Sequence, residues 1–212
     1  ALSEHALLRS PMEVEDYVNS RLIADPVRLY DCCMICSGAS AVVVTSEKKA
    51  RKHTEHPIYL VSDVEKTNYQ VSKQLPDVTR TAFEVIAEKL FTGVGRDEVD
   101  FVEIYDDYPV AVLMQLEGLG FFQKSKTKQF IESNDFTVHG NFPINTGGGQ
   151  LSRGQPGLAG GFLHIVEAMR QLKGEAGNCQ VKGAKTGLVT GIGTFGYTYN
   201  LCTWAAMILQ RR

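Results

Sequence analysis

Thr186 to Gln210 (TGLVTGIGTFGYTYNLCTWAAMILQ) contains no charged residue, and a stretch of that length could by itself span a bilayer as a helix. Its composition points elsewhere. Gly187, Gly191, Gly193 and Gly196, with Thr190, Thr194, Tyr197, Thr198, Tyr199, Asn200 and Thr203, would set too many polar and flexible positions against lipid. The segment reads instead as two buried strands, roughly 186–192 and 199–209, joined through Gly193–Gly196. Uncharged strands of this kind need a packed layer on each face.

Upstream, Phe162 to about Lys173 reads as a helix. Its apolar positions Phe162, Leu163, Ile165, Val166, Ala168, Met169 and Leu172 cover more than one face, so it wants burial on two sides. A loop holding seven of the 20 glycines feeds it, Gly147, Gly148, Gly149, Gly154, Gly157, Gly160 and Gly161. Asn134–Gln150 is loop-like, Lys124–Glu132 a second, exposed helix, and Pro109 suits the first turn of a helix to about Gly118. Phe101–Tyr105 (FVEIY) and Ile58–Val64 (IYLVSDV) are strands, and Asp77 between them offers an N-cap for an amphipathic helix to about Phe91. Ala39–Thr45 (ASAVVVT) is a β-branched run of strand length, after which Ser46 caps a charged turn, Glu47–Lys52. Residues 1–37 hold a short helical piece ending before Pro11, an acidic stretch and an extended approach through Asp25 and Pro26.

The order β-α-β-α-β-α-α-β-β gives an α/β fold, a five-stranded mixed sheet with helices on both faces. The division expected is an N-terminal arm, 1–37, and one α/β domain, 38–212. With 43% hydrophobic and 22% charged residues, 212 residues bury a real core, which excludes disorder. A formal net charge of -2 provides no general field for a phosphate backbone, so no nucleic acid is expected. Five cysteines, with Cys32, Cys33 and Cys36 crowded together and no cleavable signal, fit a reduced intracellular compartment such as the cytoplasm.

Tyr105, Asp106, Asp107 and Tyr108 stand at the C-terminal end of a strand, where open α/β sheets place their ligands. A carboxylate there can act as a base or orient a phenol, or merely cap the helix at Pro109. The glycine run could cradle a phosphate ahead of its helix. It lacks the Gly-Lys-Ser/Thr of a P-loop and does not directly follow a strand, as a dinucleotide fingerprint would. Tight loop packing explains the glycines, which leaves Ser152, Arg153 and Gln155 in want of a role. Cys33 and Cys36 form a CxxC without two further nearby ligands, so inert thiols and no metal are expected. The five histidines are scattered, and His164, inside the apolar helix, reads as a satisfied core residue.

Asn145–Gly161 (NTGGGQLSRGQPGLAGG), Gly187–Gly196 (GLVTGIGTFG), Asp25–Thr45 (DPVRLYDCCMICSGASAVVVT) and Val99–Phe121 (VDFVEIYDDYPVAVLMQLEGLGF) carry a resemblance over almost the whole chain. Together they resemble the C-terminal half of thiolase-superfamily proteins, particularly lipid-transfer-protein or sterol-carrier-type thiolases, which are acetyl-CoA acetyltransferase-like. The resemblance implies two such halves packed face to face about one active site, with the nucleophilic cysteine supplied by the other half. It also implies that the helix at Phe162 lies between the halves. Three family loops depart from the usual pattern. Tyr105 stands where Asn or His is common, Gly154-Gln155-Pro156 where the family has Gly-His-Pro, and Gly191 where the acid–base cysteine is placed. Neither Gln155 nor Gly191 can take an α-proton, and a tyrosine would need a lowered pKa to do so. Gln155 can still donate its amide N–H to a thioester oxygen.

The resemblance therefore implies an acyl-CoA enzyme of altered chemistry, transferring an acyl group or making or breaking a C–C bond on a CoA thioester. Its catalytic residues would be Tyr105, Gln155, Asp106 and Asp107, and its substrate-binding residues Ser152, Gly154, Gly191 and Gly193. No cofactor is implied beyond the CoA thioester, which is the substrate. Two alternatives stand beside it: a non-catalytic thiolase-fold subunit that binds acyl-CoA or scaffolds a complex, and a retro-aldolase acting on a 3-hydroxyacyl-CoA with a small OB-fold subunit. The partners implied are acyl-CoA, an N-terminal thiolase half and a second copy in a homodimer, with no membrane span.

Overall fold

The two uncharged strands pair with each other, as their composition requires. In the computed structural model, which describes residues 3–69, 79–195 and 201–212, the chain runs through α1 (Val14–Val18), β1 (Leu22–Ala24), β2 (Val27–Arg28), α2 (Glu47–Ala50), β3 (Ile58–Lys66) and α3 (Phe83–Leu90). It continues through β4 (Phe101–Glu103), α4 (Pro109–Gly118), α5 (Thr127–Ser133), α6 (Gly149–Arg153), α7 (Phe162–Lys173), β5 (Thr186–Phe195) and β6 (Leu201–Arg211). The main sheet has the order β3-β6-β5-β4, with β4 parallel to β5 and the other pairs antiparallel. β1 and β2 form a separate two-stranded ribbon around Asp25 and Pro26. The connection predicted over Gly193–Gly196 is corrected for its described part, since β5 continues through Phe195 because Gly193 and Phe195 still pair with β6; Gly196 and Asp77 lie outside the described residues. No helix among the described residues is long and apolar enough to cross a membrane.

The period-two alternation of a strand sends neighbours to opposite faces, and both faces are covered. Val102, Ile104, Leu188, Trp204, Ala206 and Ile208 pack under α3 and α4, with Phe83, Leu90, Leu116 and Leu119. Phe101, Val189 and Leu209 pack under α7, with Ala168 and Leu172. The α/β class and the helices on both faces are thus as the sequence predicts.

Three local expectations are corrected. Ala39–Thr45 forms neither strand nor helix, so the main sheet has four strands rather than five. β-branched residues favour an extended backbone, but a strand exists only where a neighbour completes its ladder; here Val43 and Val44 are left 88% and 90% exposed. The helical piece predicted before Pro11 is also absent among the described residues, and the first helix is α1. α7 has the predicted ends but buries the wrong residues for an apolar girth. His164, Glu167, Ala168, Gln171 and Leu172 are buried, while Phe162, Leu163, Ile165, Val166 and Met169 stay half-exposed.

Candidate active site

β4 is three residues long, yet the chain beyond it is held as firmly as a strand. Pro143 and Asn145 border Val102 with two backbone hydrogen bonds of 2.9 Å each. The Asn145 carboxamide then takes over, accepting from the Ile104 N–H at 2.7 Å and donating to the Ile104 carbonyl at 2.9 Å. The Tyr105 N–H donates to Thr190 Oγ1 at 3.0 Å, and Gln115 Nε2 donates to the Tyr105 carbonyl at 2.7 Å. Side chains thus replace a sheet partner and fix where the Tyr105 ring leaves the backbone.

The Tyr105 phenol meets Gln155. Gln155 Nε2 donates to Tyr105 Oη at 2.8 Å, and the Cys33 thiol donates to Gln155 Oε1 at 2.9 Å. The backbone at Gln155 is held by the arm, its N–H donating to the Met34 carbonyl at 2.6 Å and its carbonyl accepting from the Cys36 N–H at 3.3 Å. Burial and the nearby Asp107 carboxylate push the Tyr105 phenol above its ordinary value, against the Gln155 amide, which favours the phenolate. Burial, with Asp107 and Asp106, likewise raises the Cys33 thiol. Burial also raises Asp107, whose Oδ1 accepts from the Tyr108 N–H at 3.0 Å, ahead of Pro109 at the start of α4.

Beneath this pair lies a buried polar belt. His164 is wholly buried, with Nδ1 3.4 Å from Glu103 Oε2 and Nε2 3.2 Å from Asp106 Oδ1. Burial alone would push its imidazole down, but the Asp106 and Glu103 carboxylates outweigh it and hold the pKa at about 9. Glu103 Oε1 accepts from both the N–H and the hydroxyl of Thr146, at 3.0 and 2.7 Å. Gln171 Nε2 donates to the same hydroxyl at 2.8 Å, and Arg153 pairs with Glu167 at 3.2 Å. The belt therefore ties the end of β4 and the glycine loop to α7.

Asp106 accepts from the Gln150 N–H at 2.8 Å. That approach depends on Gly149, which sits at φ +58° and whose missing Cβ would collide with the Asp106 carboxylate. The Gln150 side chain is wholly buried close to the Tyr105 phenol, on which it acts in the same sense as Gln155, and it lies against Gly160 where no Cβ obstructs it.

Of the residues singled out from sequence, Tyr105 and Gln155 are in direct contact, and Asp106 and Asp107 flank them. Asp106 is turned inward to the loop and His164 rather than toward the phenol. Ser152 serves the arm, its carbonyl accepting from the Leu7 and Leu8 N–H groups and its hydroxyl donating to the Leu8 carbonyl at 3.3 Å. Gly154, at φ +90°, lets the loop pass against Cys36. Gly191 and Gly193 lie in β5 opposite Ala205 and Thr203, and Gly191 follows the Thr190 that holds Tyr105.

His164, Glu103, Gln150 and Cys33 belong to the site without having been predicted for it. The signal for His164 was the spacing of His164, Glu167 and Gln171, which share one face of α7. Cys33 lies 122 positions from Gln155, and no local pattern reports such a contact.

The chain matches the thiolase C-terminal domain-like family over residues 64–209. It is 33% identical over 193 residues to an acetyl-CoA acetyltransferase of Methanothermobacter thermautotrophicus, covering 89% of this chain and 50% of that protein. It is 35% identical over 187 residues to a 17-hydroxy-3-oxo-4-pregnene-20-carboxyl-CoA lyase of Mycobacterium tuberculosis, covering 85% and 47%. Among solved structures, an Ltp2-ChsH2(DUF35) aldolase superposes with a TM-score of 0.82 at 29% identity, covering 95% of this chain and 52% of that one. The chain spans about half the length of these relatives. With the family model matching more than half of its length, the chain belongs to the thiolase C-terminal domain-like family.

Proposed function

We propose that this chain is the C-terminal half of a thiolase-like enzyme acting on a CoA thioester, in which Tyr105 and Gln155 face the reacting carbonyl. The observation that carries the reading is the 2.8 Å contact between the Gln155 amide and the Tyr105 phenol at the C-terminal end of β4, the place where open α/β sheets bind ligands. Gln155 has a second amide hydrogen for a thioester oxygen. Ser152, Gly154, Gly191 and Gly193 line the substrate side in this reading, and no cofactor is needed beyond the CoA thioester. The nucleophilic cysteine comes from an N-terminal thiolase half, for which the half-exposed apolar face of α7 and the uncovered Val43 and Val44 are the docking surface. A homodimer in the cytoplasm completes the assembly.

A retro-aldol reaction on a 3-hydroxyacyl-CoA, with a small OB-fold subunit, is the form of C–C chemistry these residues favour. Tyr105 is a phenol whose proton is retained by burial and by Asp107, so it suits proton delivery to an oxygen or enolate better than removal of an unactivated α-proton. Two of the relatives above, one named a CoA lyase and one an aldolase, support this form.

The test is turnover by the complete protein, with and without the small subunit, of matched 3-ketoacyl- and 3-hydroxyacyl-CoA substrates. Tyr105→Phe is expected to lower kcat on the preferred substrate by about 100-fold or more. Absence of turnover on both substrates with tight acyl-CoA binding retained would replace the enzyme reading with that of a binding or scaffolding subunit.

A further inference from the structure

A carboxamide has an accepting edge and a donating edge, and rotating it by half a turn exchanges them. Gln155 lies between two groups, the Tyr105 hydroxyl at 2.8 Å and the Cys33 thiol at 2.9 Å. A hydroxyl accommodates either edge, because it both donates and accepts. A neutral thiol is a donor with little capacity as an acceptor, so it selects Oε1. With Oε1 committed to Cys33, Nε2 must face Tyr105. The phenol oxygen then receives a hydrogen from Gln155 and its own hydrogen has to point elsewhere.

We infer that Cys33 is a positioning residue that acts through Gln155, fixing the amide so that the Tyr105 hydroxyl turns its proton away from Gln155 and toward the bound thioester. Without the thiol, the amide can turn over and take the Tyr105 hydrogen on Oε1, which points that proton inward and withdraws the donor that favours the phenolate. Several facts support a pinned arrangement. The arm is bound beside Gln155 by backbone hydrogen bonds on both sides of that residue, so Cys33 has a fixed place. Gly154 leaves no side chain between the arm and the loop. Burial keeps the thiol in its neutral, donating form. The other ionisable groups around the phenol are Asp107 and Cys33, which bear on it electrostatically, and His164, whose ring centroid is 6.4 Å from that of Tyr105.

This inference rests on the reading of Tyr105 as the group facing substrate, and the test separates the two. The titration of Tyr105 is followed without substrate by 13C NMR of ring-labelled tyrosine in the complete protein, assigned with Tyr105→Phe, and steady-state kinetics are measured alongside. Cys33→Ala is expected to move the Tyr105 midpoint up by about 0.5–1 pH and to lower kcat about two- to tenfold with KM little changed. Cys33→Ser, whose hydroxyl restores a donor but also accepts readily and so holds the amide less firmly than the thiol, is expected to recover both in part. An unchanged midpoint in Cys33→Ala, or equal displacement in the Ala and Ser variants, would overturn the inference, whatever the effect of Tyr105→Phe on turnover. A midpoint that moves in Cys33→Ala and returns at least partly in Cys33→Ser upholds it, and if turnover is indifferent to Tyr105→Phe as well, the catalytic reading of Tyr105 is what fails.

Discussion

On one face of the main sheet, Phe83, Leu90, Leu116 and Trp204 meet without a charge among them, Phe83 and Trp204 edge to face at 5.4 Å. On the other face, α7 lays His164, Glu167 and Gln171 beside Phe101, Ala168 and Leu172. β4 feeds both, with Val102 and Ile104 turned to the apolar side and Phe101 and Glu103 to the polar side. The contrast separates two tasks within a single layer. Apolar burial is non-directional and supplies most of the stability, whereas the hydrogen bonds of the belt are directional and set where Tyr105 and the glycine loop stand.

Damage to the apolar side should be large and confined to stability. Phe83→Ala is expected to cost about 3–5 kcal/mol in denaturant unfolding. A much smaller loss would mean that this side is less tightly packed than its burial implies.

Damage to the polar side should show as a pH dependence. His164 binds its proton more tightly folded, with a pKa of about 9, than unfolded, where 6.5 is its ordinary value. Its contribution is therefore complete below about pH 6.5 and is lost as pH rises toward 9. The melting temperature should fall across that window in the native chain, and His164→Gln should flatten the fall. A native profile that is level or rising over the same range would show that the carboxylates do not hold the imidazole charged.

The smallest effect belongs to a residue on neither face. Val43→Ser should change unfolding free energy by no more than about 0.5 kcal/mol in this chain, since Val43 is 88% exposed. A loss several times greater would mean that the 39–45 run has found a partner.

These contrasts also explain what could be read in advance. β5 and β6 were legible because an uncharged run broken by glycines and threonines admits few structures, α4 because Pro109 marks its first turn, and α7 because a dense apolar run follows the glycine loop. The run at 39–45 misled because its valines report a backbone preference, not the presence of a neighbour. Tyr105 and Gln155 stood out from their places at a strand end and in the glycine loop, and the fold brings them into contact. The imidazole between two carboxylates was not legible, because His164 lies on a separate element, 61 positions from Glu103. Burial of α7 was misjudged for the same reason. Counting its apolar residues left out the attraction of Glu103 and Asp106 for its one histidine.

The Asn145 side chain, clasping both polar groups of Ile104, has a consequence for association. β4 ends one side of the sheet, and unsatisfied amides along such a margin invite another polypeptide to add itself as a new strand. With Pro143 and Asn145 occupying Val102 and Ile104, that margin has nothing left to offer an intruder. The same carboxamide that steadies the approach to Tyr105 thus also closes this margin of the sheet to a templated neighbour.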